Sequence, residues 1–343
     1  MIMAIFQAYL ATNMLSPPSW VGLQNISTPW QIGIMDRAGR DAVDRYGATY
    51  NGTFKTDFDT GALLGGTVTN YVGLKNGASQ FIITDITAPI LDIYRKGPII
   101  DHYPAVFAGR DAFNGSAGND MLGGFAGADT INGGAGNDIA YGGLGDDVVI
   151  YSAGNDQVYG EEGFDILRID APRSALTVSR VDNTTLKLTQ DSNNTVTLNS
   201  VERVFFSNKD VLALDVGPTE NAGEAYRMYQ AAFNRTPDAT GLSGWINYLD
   251  GGGNPIQMAN QFIASSEFQK NYGALDNTGF VQLMYNNVLH RNGSASEVAG
   301  WVDGLANGLT RAQVLQGFSE SAENIANLAP VIGNGIQYNQ WWT

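Results

Sequence analysis

The sequence predicts a multidomain β plus α protein: a parallel β-roll held between β-rich caps, followed by all-α helical repeats. Three observations predict it. Between Phe107 and Ile169 the chain is an unbroken series of seven nonapeptides; β-rich runs with glycine or Asn-Asn turns flank that series on both sides; and beyond Gly217 and Pro218 the apolar spacing switches to a helical period. The boundaries that follow are 1–45 for an N-terminal helix and loop segment, 46–106 for a β-rich N-terminal cap, 107–169 for the roll, 170–216 for a β-rich closing cap, and 217–343 for two tandem helical modules at 222–271 and 278–327.

In the first segment, Ile2, Phe6, Tyr9 and Leu10 share one helical face, which predicts a helix docked on its own core or on a neighbouring subunit. The first cation is Arg37, so the apolar start lacks the charge of a secretion leader. From Tyr46 to about Ile93, runs such as NGTFKTDF, GGTVTNYVGL and SQFIITDI alternate with glycine turns and predict an antiparallel or roll-like sheet. Its task is to cover the open end of the array, where the first repeat would expose apolar side chains and unpaired backbone.

The repeats keep three columns in phase. Glycine stands at Gly109, Gly118, Gly127, Gly136, Gly145, Gly154 and Gly163; aspartate at Asp111, Asp120, Asp129, Asp138, Asp147, Asp156 and Asp165; and an apolar residue two places later at Phe113, Leu122, Ile131, Ala140, Val149, Val158 and Leu167. In a unit such as GGAGND at Gly133 to Asp138, glycines free the backbone to take positive φ and to converge carbonyls, and the aspartate adds an anionic oxygen. That is the ligand set of Ca2+, a hard cation that takes six to eight oxygens in relaxed geometry. If each nonapeptide is a turn plus a short strand, residues 18 apart stack in parallel. One column of turns then carries Asp111, Asp129, Asp147 and Asp165 and the other Asp120, Asp138 and Asp156, with room for about five ions between successive turns. The apolar column supplies only a thin core, so folding of 107–169 is expected to depend on calcium.

These nonapeptides resemble the RTX family of calcium-binding repeats, with consensus GGxGxDxUx, a resemblance that implies a parallel β-roll and secretion by type I machinery. The leading glycine of the consensus is replaced by Val106 and Tyr151, and the second by Phe107, Ser116, Phe125, Ser152 and Glu161, so sites using those turns are expected to be weak or empty.

Between Ala171 and Val216, alternating apolar residues and Asp-Asn or Asn-Asn turns predict the closing strands, and SVERVFFSNKDVLALD is similar to the β segment that ends RTX arrays. The helical part repeats with a shift of 56 residues, superposing Tyr229 on Tyr285, Arg235 on Arg291, Gly244 on Gly300, Trp245 on Trp301, Phe262 on Phe318 and Glu267 on Glu323. Each copy predicts three short helices. The pattern resembles an all-helical domain of unknown function found in tandem in secreted RTX proteins. Copy one keeps Pro237, Asp238 and Gly241 of its loop motif, whereas copy two has Gly293, Ser294 and Glu297 there. Asp238 is expected to cap a helix, and Trp245 and Trp301 to lie in the core; Trp341 and Trp342 suit a subunit contact or a secretion-related tail.

The 34 acidic and 19 basic residues give a net charge of −15, which disfavours nucleic acid and anionic membrane and favours cations. There is no cysteine, and no apolar run long enough to span a membrane. His102 and His290 are the only histidines, no HExxH, GxSxG or P-loop occurs, and the carboxylates cluster in the turns, so the chain is not expected to be an enzyme. The function expected is that of a secreted calcium-binding structural protein assembling into a homo-oligomer or polymer in a surface layer, filament or matrix. The alternative is a calcium-dependent adhesin binding cell-surface polysaccharide or a host surface. By the same resemblance the export signal is expected in the charge-free C-terminal twenty residues, 324–343.

Overall fold

The computed structural model describes residues 108–339 apart from Asn183, together with the backbone of strands between Ile5 and Pro89. Contacts divide the chain into two compact units, Met1–Glu202 and Arg203–Thr343.

In the first unit every nonapeptide contributes one strand: Ala112–Asn114, Met121–Gly123, Thr130–Asn132, Ile139–Leu144, Val148–Tyr151, Asn155–Glu162 and Ile166–Ile169. Alternate strands stack in parallel. Phe113 lies beside Ile131, Ile131 beside Val149, and Val149 beside Leu167 in one sheet; Leu122 lies beside Ala140, and Ala140 beside Val158 in the other. A turn of fixed length followed by a short strand reverses the chain once per repeat, so each strand lands on the one two repeats earlier. The central residue of each strand points inward. Phe113, Leu122, Ile131 and Leu167 are completely buried between the sheets, with Ala140, Val149 and Val158 nearly so. At about 1.5–3 kcal/mol for each large apolar side chain, this single file is a real but narrow source of stability.

Beyond the last repeat, Asn194–Asn199 extends the second sheet in parallel, pairing Asp156 with Val196 and Val158 with Leu198. Thr185–Asp191 and Thr177–Arg180 then add antiparallel strands, whose Leu186 and Leu188 close the roll's apolar interior together with Val196 and Leu198. The tight turn into Asn194 is held by Asp191, which accepts the N–H of Asn193 at 2.8 Å. At the other end, the structure corrects the helix expected at the start of the chain. Ile5–Ala8 is a strand, parallel to Ala112–Asn114 and antiparallel to Ala78–Thr84, so its backbone groups are satisfied by ladders on both sides rather than within a helix. Ile2, Tyr9 and Leu10 lie outside the described residues, as do His102, Val106 and Phe107. Arg45–Thr56, Leu63–Lys75 and Ala78–Thr84 form an antiparallel meander.

The second unit begins at Arg203, ahead of the Gly217–Pro218 pair, and so takes in the strands Arg203–Phe206 and Asp210–Ala213. These pair with each other, and the C-terminal strand Ile336–Asn339 pairs with the second of them. Eight helices lie between: α1 (Asn221–Phe233), α2 (Ala239–Asp250), α3 (Pro255–Ala264), α4 (Ser266–Tyr272), α5 (Asn277–Val288), α6 (Ala295–Ala306), α7 (Arg311–Ser319) and α8 (Ala322–Ile332). Each copy of the 56-residue repeat therefore has four helices, not three. The difference is made by Ser265 and Ser321, whose hydroxyls accept the N–H groups of Phe268 and Asn324 and start a new helix where one was expected to end.

Asp238 caps α2, accepting the Gly241 N–H at 2.7 Å. In copy two the altered loop does the same work by a capping box of Ser294 and Glu297 at the start of α6. In both copies an arginine at the end of the first helix makes a two-pronged pair with a glutamate of the fourth, Arg235 with Glu267 and Arg291 with Glu323, while lying 5.0 Å above the ring of Tyr229 or Tyr285. The repeated residues thus tie helices together. Among the described residues two arginines are buried with their counter-ions: Arg203 pairs with Asp215 and, at 2.7 Å, with Asp250, and Arg227 pairs with Glu320 at 2.6 Å. No helix among the described residues is long and apolar enough to cross a membrane.

Candidate calcium sites

Each turn of the roll carries its aspartate inward. Asp111, Asp120, Asp129, Asp138, Asp147, Asp156 and Asp165 are all buried, from 0% exposed at Asp147 to 8% at Asp156. Within each column they are linked in a ladder: Oδ1 of Asp129 accepts the N–H of Asp111 at 2.7 Å, that of Asp147 the N–H of Asp129 at 2.7 Å, and that of Asp165 the N–H of Asp147 at 2.9 Å. In the other column Asp138 accepts from Asp120 at 2.9 Å and Asp156 from Asp138 at 3.0 Å. One carboxylate oxygen is thereby committed to the backbone of the neighbouring turn.

The second oxygen has a different environment. Oδ2 of Asp129, Asp138, Asp147 and Asp165 is buried without a hydrogen-bond partner. A buried anion in that state costs several kcal/mol unless a cation or a proton meets it. Burial accordingly pushes the carboxyls of Asp129 and Asp165 up to about 7 and those of Asp138, Asp147 and Asp156 up to about 6, against the opposing pull of the backbone N–H that each accepts.

Backbone carbonyls converge on the same place. A Cβ at Gly124 would lie 2.6 Å from Asp129 Oδ2 and closer still to the Gly142 carbonyl oxygen; one at Gly142 would lie 2.6 Å from the Gly160 oxygen and closer still to Asp147 Oδ2. The glycine two places before each aspartate serves a second purpose. Gly127, Gly136, Gly145, Gly154 and Gly163 have φ between +112° and +144°, and each faces the carbonyl of Gly109, Gly118, Gly127, Gly136 or Gly145 so closely that no side chain fits.

Substituted turns adapt in distinct ways. Phe125 and Glu161 occupy the second turn position with φ of 71°, where Gly134 and Gly143 stand elsewhere, and so carry left-handed strain of about 1–2 kcal/mol each. Ser116 donates both its N–H and its hydroxyl to Asp120 Oδ2, at 2.7 and 2.8 Å, so that oxygen is already engaged. Tyr151 donates its hydroxyl to the Gly154 carbonyl at 3.0 Å.

The donor set is all oxygen, carboxylate plus carbonyl, and it fits Ca2+. No group of three or more His, Cys, Asp or Glu side chains able to hold a metal occurs among the described residues, so any ion in the roll depends on the carbonyls. One feature outside the seven-aspartate pattern also stacks. Asn119 and Asn137 accept the N–H groups of Asn137 and Asn155, both at 2.8 Å, a side-chain ladder on the outside of one column whose only trace in the sequence is the recurring GND.

Comparison with known families agrees with this geometry. The model of the RTX calcium-binding nonapeptide repeat matches residues 107–122, 123–158 and 140–167, and that of a domain of unknown function (DUF4214) matches residues 259–328, from within α3 into α8. No curated protein matches the chain.

Proposed function

We propose that this protein, which carries RTX calcium-binding repeats ahead of a DUF4214 domain, folds its roll on calcium after export and acts outside the cell as a structural element assembling with copies of itself. One observation carries the reading: two ladders of buried aspartates, four of them with an unpartnered inner oxygen, lie beside a core one side chain wide. Seven stacked carboxylates repel one another by about 2–4 kcal/mol per close pair at an effective dielectric near 20, a cost of the same order as the whole gain from the thin core, which leaves nothing to offset the conformational entropy of ordering the turns. Bound calcium supplies the positive charge that removes this penalty. The residues holding it are the turn carbonyls and the aspartates, Asp120 least of the seven because Ser116 already occupies its Oδ2, and the protein's own part is to pre-align them through glycines at positive φ.

At low calcium the repeats then stay open enough for export, and millimolar calcium outside closes them. Circular dichroism and hydrogen exchange with and without chelator test this. Repeat amides lose protection in chelator while those around Trp245 and Trp301 keep it; equal protection in both conditions refutes calcium-driven folding. Assembly is supported by the net charge of −15, which calcium relieves between copies as well as within them. Electron microscopy at millimolar calcium checks it, dispersed monomers counting against it. No catalytic role is proposed.

A calcium-dependent adhesin is the second reading, favoured by a surface cavity of about 380 Å³ lined by Tyr229, Phe233, Trp245 and Phe262. Trp245 is only half-buried, yet its ring packs edge-on against Phe262 at 5.0 Å, which leaves less of it to stack on a sugar. A fluorescence titration of that indole with polysaccharides decides between wall and binding surface.

A further inference from the structure

The column that ends at Asp165 has one more carboxylate than the repeats supply. Three contacts of the repeat turns are reproduced, beyond the closing hairpin, by Ser200 and Glu202. First, the Asp165 N–H donates to Glu202 Oε2 at 2.7 Å, as the N–H groups of Asp129 and Asp147 donate to the carboxylates of Asp147 and Asp165 at 2.7 and 2.9 Å. Second, the Glu202 N–H donates to the Asp165 carbonyl at 3.1 Å, as those of Val148 and Ile166 donate to the Asp129 and Asp147 carbonyls at 2.9 and 2.8 Å. Third, a Cβ at Gly160 would collide with the Ser200 carbonyl oxygen and with Asp165 Oδ2, the same two kinds of oxygen that crowd Gly142 and Gly124.

Asp165 itself is 1% exposed, and its Oδ2, aimed at this point, has no hydrogen-bond partner. A terminal aspartate with nothing beyond it would need neither a carbonyl over its turn nor a second carboxylate. The other column shows the contrast. There the strand after the last repeat sets Val196 beside Asp156 and Thr195 beside Asn155, so no carboxylate follows.

We propose that Ser200 and Glu202 complete a further calcium site over the turn Gly160–Asp165, formed by the Asp165 carboxylate, the Ser200 carbonyl oxygen and the Glu202 carboxylate. The site adds one ion to the column of Asp111, Asp129, Asp147 and Asp165, and makes closure of the roll by the segment after Asn199 calcium-dependent.

This inference rests on calcium binding by the roll, and the test separates the two. Native mass spectrometry of the full chain counts ions on the wild type and on Glu202→Gln, with calorimetric titration giving their affinities. The amide introduced by Glu202→Gln keeps an oxygen for the Asp165 N–H, so a merely structural cap survives the change, whereas the anionic ligand does not. The expected result is one ion fewer on Glu202→Gln, with the remaining sites within about threefold of their original affinity and repeat amides still protected in calcium. Equal counts and affinities in the two proteins overturn the site. An ion-free wild type overturns the calcium reading beneath it instead. Should Glu202→Gln fail to fold, Glu202→Asp decides: it keeps the charge but shortens the reach, and is expected to weaken one site at least tenfold, wild-type affinity at every site overturning the proposal.

Discussion

Replacing Asp147 by asparagine separates the cost of the roll's buried charge from its use. Asp147 is fully buried in mid-column; its Oδ1 holds the Asp129 N–H at 2.7 Å, its own N–H reaches Asp165 at 2.9 Å, and its Oδ2 is unpartnered beside the turn carbonyls. Asparagine retains the oxygen for Asp129 but places an NH2 where a cation would meet an anion. A charge-assisted contact is worth about 1.5–3 kcal/mol net, which at about 1.4 kcal/mol per tenfold weakens calcium binding by about 10- to 100-fold at each adjoining site. Asp147 has a ladder neighbour on each side, whereas the terminal Asp111 has only Asp129 within the column. The calcium midpoint followed by circular dichroism should therefore rise more for Asp147→Asn than for Asp111→Asn, by about twice as much in logarithmic units. In chelator the sign reverses, because the amide lacks the repulsion and much of the desolvation cost of the carboxylate, and repeat amides of Asp147→Asn should exchange more slowly than those of the wild type. Identical midpoints for the two variants, or faster exchange of Asp147→Asn in chelator, would refute the reasoning.

Two glycine variants should move stability in opposite directions. Gly154→Ala forces a Cβ into the Gly136 carbonyl oxygen at φ +133° and should cost the roll about 3 kcal/mol or more, read from its calcium midpoint, whereas Gly244→Ala in α2 meets nothing within 4 Å and should raise the Tm of the helical unit by the equivalent of about 0.5–1 kcal/mol. Acid should loosen the helical unit through the Arg291 cluster: the guanidinium holds Glu297 down to about 2 and keeps Glu323 below its ordinary 4.5, so their contribution is complete above about pH 4.5 and fades as pH falls toward 2. An acid titration of helicity that is unchanged by Arg291→Met would exclude it. Deleting residues 336–343 removes the buried Ile336 and Tyr338 from beside Asp210–Ala213 and should cost the second unit roughly 3–6 kcal/mol, checked by denaturant unfolding. An export assay on a chain lacking residues 324–343 therefore needs this fold control, since that deletion takes most of α8 and the strand together.

The roll was legible in the sequence because its determinants are local and repeated. A glycine two places before an aspartate sets the turn, an apolar residue two places after it sets the strand's inner face, and a constant nine-residue spacing leaves only one way for strands to stack, with Phe113 over Ile131 and Leu122 over Ala140. The 56-residue helical repeat was legible for the same reason, and so was Asp238 as a helix cap, whereas Trp245 and Trp301, expected in the core, pack against it and stay only partly buried.

Tertiary structure decided what depends on where the chain comes back. Ile2, Phe6, Tyr9 and Leu10 fall on one helical face in the sequence, and ladders to Ala78–Thr84 and Ala112–Asn114 make Ile5–Ala8 a strand instead. Folding buries Arg203 with Asp215 and Asp250, the latter 47 residues away, and the strands after Glu202 belong to the helical unit. Glu202 sits 37 residues beyond Asp165, outside any period, and is brought to the turn only by the return of the closing hairpin. Spacing encodes neighbours that recur at a fixed interval. Pairings made once, across a loop whose closure cost barely depends on its length, leave no such interval to read, and there the fold itself chooses the partner.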